Sequence, residues 1–66
     1  MNEVTQVRLS DLYVSMNQAA SILWVSEATI RRWVREGRLK GEKIGRVTLI
    51  PRRDVQAMAR QRGINL

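Results

Sequence analysis

The sequence predicts a small α+β domain: two short helices joined by a tight turn, a two-stranded hairpin, and a last helix. Three observations carry that expectation. The chain has 66 residues, the length of one domain. Two amphipathic stretches follow one another, each opened by a serine. The hydrophobic pattern then changes from helical spacing to short β-branched runs around Gly45-Arg46.

Residues 1–12 show no clean period. Val4, Val7, Leu9 and Leu12 fit neither helix nor strand, so this part is expected to be a loose arm, packed by Leu9 and Leu12. Tyr13 and Val14 form a short extended entry. The domain proper is expected over 13–62, with 63–66 as a tail. Ser15, with Gln18 three residues on, is a capping box: each side chain satisfies an orphan backbone N–H of the helix start. Met16, Ala19, Ala20 and Leu23 then share one helical face. Trp24-Val25 is a very short connection. Ser26 repeats the N-cap, with Glu27 favourable in the first turn of a second helix.

That second helix is expected to run to Glu36, with Gly37 as the left-handed residue after its end. At 100° per residue, Ile30, Trp33 and Val34 fall on one side; Ala28, Arg31, Arg32 and Arg35 fall on the other. Leu39–Ile44 and Val47–Ile50 read as the two strands of a hairpin, with Gly45 supplying a positive φ in the turn. Pro51 ends the second strand. Asp54–Arg60 forms the last helix, with Val55, Met58 and Ala59 on one face and Gly63 as its stop.

Composition narrows the function. The chain has no Cys and no His, which removes the usual zinc, haem and iron–sulfur ligand sets, thiol catalysis and any disulfide. No nucleophile–base pair stands out, so no catalytic residue, metal or cofactor is expected, and the protein is expected not to be an enzyme. No run of about 18 apolar residues is present, so no membrane span is expected. The start, Met1-Asn2-Glu3, lacks the features of a secretory signal. Charge is unevenly distributed. Residues 1–30 carry Arg8 against Glu3, Asp11 and Glu27, whereas residues 31–66 carry eleven basic residues against Glu36, Glu42 and Asp54. A basic half of that density points to a polyanion, either DNA or RNA and less readily an anionic membrane, with a solvated basic face as the alternative.

Two short helices with a tight turn, the second cationic on its outer side, make the plan of a helix-turn-helix; the basic hairpin makes a wing. The major groove of B-form DNA, about 12 Å wide, admits one α-helix. The segments SMNQAASIL, VSEATIRRWVREGRLKGEKIGRV and IPRRDVQAMA carry a resemblance, of which ATIRRWVREGRL is the most specific part. From Val14 to Ala59 the chain resembles the winged helix-turn-helix of the MerR-like superfamily. Within it, the chain is most similar to phage and mobile-element excisionases, also called recombination directionality factors.

The resemblance implies that positions matching Ala28 and Arg32 face bases in the major groove. It also implies that Arg46, at the wing tip, reaches the adjacent minor groove. One position departs from the family pattern: the turn residue held here by Trp24 is usually Gly. Arg32 is the best base reader, since an arginine fork can bridge O6 and N7 of guanine. Ala28 allows close approach or touches a thymine methyl, or is simply a helix former. Arg31 and Arg35 flank that face as phosphate contacts, with a Glu27–Arg31 pair as the alternative for Arg31. Ser26 and Thr29 are candidates for phosphate bonding, although Ser26 has its cap to make. Lys43 belongs to the wing with Arg46. Arg52 and Arg53 precede the last helix and are further phosphate candidates, or solvated charge.

The leading expectation is an accessory protein that bends DNA beside attachment sites, partners an integrase, and promotes excision in a bacterial cytoplasm. It would be a monomer in solution, assembling cooperatively head to tail on DNA. The alternatives are a small transcription regulator of the same fold and a DNA-packaging adaptor or interaction module.

Overall fold

The computed structural model describes residues 9–64, and the expected arm and tail otherwise lie outside them. In chain order the elements are α1 (Leu9–Leu12), β1 (Tyr13–Ser15), α2 (Met16–Leu23), α3 (Glu27–Arg35), β2 (Glu42–Ile44), β3 (Val47–Pro51) and α4 (Arg52–Gln61). The small α+β winged helix-turn-helix architecture is therefore present.

Both helix starts form by the local chemistry of their serines. The Ser15 hydroxyl accepts from the Gln18 N–H at 3.0 Å, and the Ser15 N–H donates to Gln18 Oε1 at 3.0 Å. This closes the capping box of α2. The Ser26 hydroxyl accepts from the Thr29 N–H at 3.1 Å at the start of α3.

The helix ends share one device. Beyond α3, Gly37 has φ +82 and the Arg38 N–H returns to the Trp33 carbonyl at 2.8 Å. Beyond α4, the Ile64 N–H returns to the Ala59 carbonyl at 2.8 Å. Beyond α2, the Val25 N–H returns to the Ala20 carbonyl at 3.0 Å, and Trp24 holds the left-handed position at φ 60, ψ 42. Such a reversal needs a residue in the left-handed region, which glycine adopts freely and a bulky side chain only with strain. The turn geometry of the motif is thus kept, and the strain falls on Trp24. Its side chain is 79% exposed and does not fold over α2.

The structure corrects four sequence expectations. The sheet has three strands, not two, in the order β1-β3-β2 and antiparallel throughout. The extended entry at Tyr13 is long enough to pair with β3, placing Val14 opposite Ile50. The first hairpin strand begins only at Glu42, because Leu39 is drawn into the core before pairing starts. The last helix begins at Arg52, two residues earlier than expected: Pro51, the last residue of β3, is also the N-cap, and Asp54 falls in the favourable first turn. Leu9–Leu12 is one helical turn, too short to show a period, and Leu12 is exposed instead of packing.

The core lies where α2, α3 and α4 meet the sheet. Leu23, Ile30, Leu39, Ile50, Val14 and Val55 are its largest fully buried side chains. The hairpin sits directly on α3 at Gly41, where a Cβ would lie 2.6 Å from Val34 Cγ1 and 3.1 Å from Thr48 Cγ2. A side chain at 41 would push the wing off the helix. Tyr13 ties the outer strands together, its hydroxyl donating to Glu42 Oε1 at 2.9 Å.

Three outcomes follow from this packing. Ile30→Ala should cost about 2–4 kcal/mol, a large part of the ~0.05–0.15 kcal/mol per residue typical of a domain. Trp24→Gly, which relieves the left-handed strain and removes little buried surface, should stabilise by about 0.5–1 kcal/mol. Urea unfolding followed by circular dichroism checks both. The hydrogen bond to Glu42, then burial and the Glu42 charge, raise the Tyr13 hydroxyl above its ordinary 10.0 against the opposing Arg53 charge. The folded state therefore binds this proton more tightly than the unfolded chain. The contribution is complete below about pH 10 and is lost as pH rises through the folded value. Unfolding midpoints measured across that range should fall less steeply for Tyr13→Phe than for wild type.

Candidate nucleic-acid interface

The burial of α3 decides what it can offer. Ile30 and Trp33 are turned into the core, at 0% and 6% exposure. Arg62 lies over the Trp33 ring at 5.4 Å, adding a cation–π contact at the edge of this face. The opposite side of the same helix is then fixed without further choice. Ala28, Arg31, Arg32 and Arg35, spaced i, i+3, i+4 and i+7, are all exposed along one stripe. Ala28 leaves the helix surface low near its N-terminal end, with the arginines following toward the C-terminal end.

The structure resolves what each sequence candidate does in the free protein. Ser26 is the N-cap of α3 and its hydroxyl lies 3.0 Å from Thr29 Oγ1, so both side chains are engaged with each other at the helix start. Arg31 donates to Glu27 Oε2 at 2.8 Å, the i,i+4 pair that the sequence allowed. An exposed pair of this kind contributes only about 0.3–0.5 kcal/mol. It orients Arg31 without withdrawing it from an anion. Arg32 Nε stands 3.8 Å from Glu36 Oε2. Arg35, Lys43 and Arg46 form no ion pair with any described residue.

The wing continues the same charge. Lys43, opposite Thr48, is exposed on β2, and Arg46 is exposed in the two-residue turn that joins Ile44 to Val47. Gly45 has φ +64 and Arg46 does not have a positive φ, the sign pattern of a type II′ turn. That turn matches the strand twist and holds the Arg46 backbone at the tip. Gly41, just before β2, lies close against Val34 of α3 and Thr48 of β3, so the base of the hairpin is seated on the helix that carries the stripe.

Arg52 and Arg53 are placed elsewhere. They line a cleft with Asp11, Tyr13 and Glu42, whereas Arg31 of the α3 stripe lines a different one with Glu27 and Val47. Sequence reasoning also passed over Glu36 as part of the cationic face. Glu36 Oε1 lies 3.4 Å from Arg38 Nε while its other oxygen addresses Arg32. The i,i+4 spacing of Arg32 and Glu36 was visible in the sequence. The approach of Arg38 was not, since it depends on the chain reversal at Gly37. Lys40 joins the basic approach to the wing, 4.0 Å from Glu42.

Among the described residues no group of His, Cys, Asp or Glu is placed to hold a metal ion, and no helix is long and apolar enough to cross a membrane. The arrangement presents a cationic helix face and a cationic hairpin tip, mounted on one small core. Neither the curated proteins nor the solved structures searched contain a match. Residues 13–63 match the family described as "Helix-turn-helix domain", a family that includes excisionase-like DNA-binding proteins. That span begins at the first strand and ends just beyond α4, so the chain belongs to the helix-turn-helix domain family, and with that membership comes sequence-specific DNA binding.

Proposed function

We propose that this DNA-binding protein is an excisionase-like accessory factor, without enzymatic activity of its own. In this reading it binds neighbouring sites beside a recombination locus, bends the DNA there, and helps an integrase run excision. The observation that carries the reading is the exposed cationic stripe of α3, followed by a basic wing whose base is seated on the same helix at Gly41. Ala28 and Arg32 enter the major groove, Arg31 and Arg35 hold phosphates, and Arg46 reaches the next minor groove, where a narrow groove attracts arginine. ATIRRWVREGRL, the most specific part of the resemblance to excisionases, spans the α3 stripe.

Size argues for assembly on DNA. One winged module buries about 600–1,000 Å² on a duplex, at the low end for specific binding. The longest described helix, α4, has 10 residues and packs back on the core. Additional contact therefore comes from further copies bound alongside, and an array of such modules draws the duplex toward the protein. A transcription regulator of the same fold would need the same α3 contacts but not the bend.

Three expected outcomes test this reading. Neutralising about five phosphates should give a log–log salt slope of roughly −4 to −5. A slope near zero in a fluorescence anisotropy titration would contradict DNA binding by this face. Arg32→Ala should cost about 1–3 kcal/mol on a selected site and flatten the preference at one or two base pairs. Arg46→Ala should instead weaken binding with a softer, A·T-related change. On the attachment region of the element that encodes the protein, gel shifts should show a ladder of cooperative, bend-sensitive complexes. One complex on straight DNA would favour the regulator.

A further inference from the structure

Glu36 is an anomaly on the surface just described. It is the C-cap residue of α3, where the helix dipole disfavours negative charge. It stands among cations that are expected to meet a polyanion, so it weakens attraction to phosphate. Helix stability and overall affinity therefore both argue against a carboxylate here. Its geometry gives it another use. Oε1 lies 3.4 Å from Arg38 Nε, and Oε2 lies 3.8 Å from Arg32 Nε. One carboxylate spans two guanidinium groups, each approached through its Nε.

The choice of nitrogen matters. A guanidinium binds guanine O6 and N7 with two parallel N–H donors in a planar fork. Arg31 is paired through Nη2, which occupies a terminal donor. Arg32 is approached at Nε instead of at a terminal nitrogen. Arg38 braces Glu36 from the far side of the Gly37 reversal, so the carboxylate is not restrained by Arg32 alone.

We propose that Glu36, braced by Arg38, is the positioning and specificity-determining residue for Arg32. It holds the Arg32 fork toward a base edge and opposes its collapse onto a phosphate. This rests on the reading of α3 as the major-groove helix. Two consequences follow together. The carboxylate lowers affinity for any duplex, because it repels phosphate, and it raises discrimination, because it restricts Arg32 to the base-reading geometry. A residue with a merely structural role would move neither ratio.

The test uses the whole 66-residue chain and two probes: a 30-base-pair duplex selected from a random library by the wild-type protein, and a scrambled duplex of the same composition. Affinities are measured by fluorescence anisotropy across a salt series, with circular dichroism melting of each variant as the control for folding. Glu36→Gln should bind the scrambled duplex about threefold more tightly, with a salt slope steeper by about one. Its preference for the selected duplex should fall about tenfold. Glu36→Asp keeps the charge but shortens the reach, and should lose the preference while its salt slope stays near that of wild type. Gains of equal size on both duplexes for Glu36→Gln, or full preference in Glu36→Asp, would overturn the positioning role and leave the groove assignment of α3 intact. A wild-type protein that selects no sequence would overturn both.

Discussion

The fold and its surface depend on one constraint, the burial of Ile30 and Trp33 beneath α3. A helix has two usable sides. Once its apolar side is committed to α2 and the common core, the other side is presented whether or not anything binds it. In this chain that side is Ala28, Arg31, Arg32 and Arg35. The serine cap at Ser26 sets where the helix begins and Gly37 sets where it ends, so the stripe has a fixed length. The close seat of Gly41 on Val34 then sets how far the wing stands from the helix. Two local signals that the sequence carries, Ser26 and Gly37, and one tertiary contact, Gly41 on Val34, together set the stripe and the base of the wing.

Charge is layered on that frame instead of shaping it. No buried side-chain polar atom among the described residues lacks a partner, and no polar residue belongs to the core. Arg31, Arg32 and Arg38 sit outside, paired weakly with Glu27 and Glu36. Exposed pairs of this kind hold side chains in one orientation at little energetic gain. At Arg31 an anion can replace Glu27 with small loss, which suits a surface that must exchange water and counterions for phosphate.

Much of this was legible in the sequence, and the parts that were not have physical reasons. The two serine caps, the helical faces of α2 and α3 and the turn at Gly45 are local signals, confined to a few neighbouring residues. The third strand is a long-range signal: Tyr13–Ser15 becomes a strand only because β3, more than thirty residues later, offers an edge. The placement of Arg52 and Arg53 beside Asp11 and Glu42 is likewise a product of the tertiary fold. Trp24 shows the opposite case. The sequence departs there from its family pattern, yet the backbone keeps the left-handed turn, because the return bond from Val25 to Ala20 and the entry into the Ser26 cap outweigh the strain at one residue.

The central claim is that the α3 stripe and the wing tip form a single face for DNA. Chemical-shift mapping of the ¹⁵N-labelled protein during titration with a selected duplex tests it most directly. The account predicts that the largest amide shifts fall on Ala28, Arg31, Arg32, Arg35, Lys43 and Arg46, moving together along one titration curve. Shifts concentrated on Arg60–Arg62 of the α4 end, or on the Trp24 turn with the α3 stripe unmoved, would contradict it.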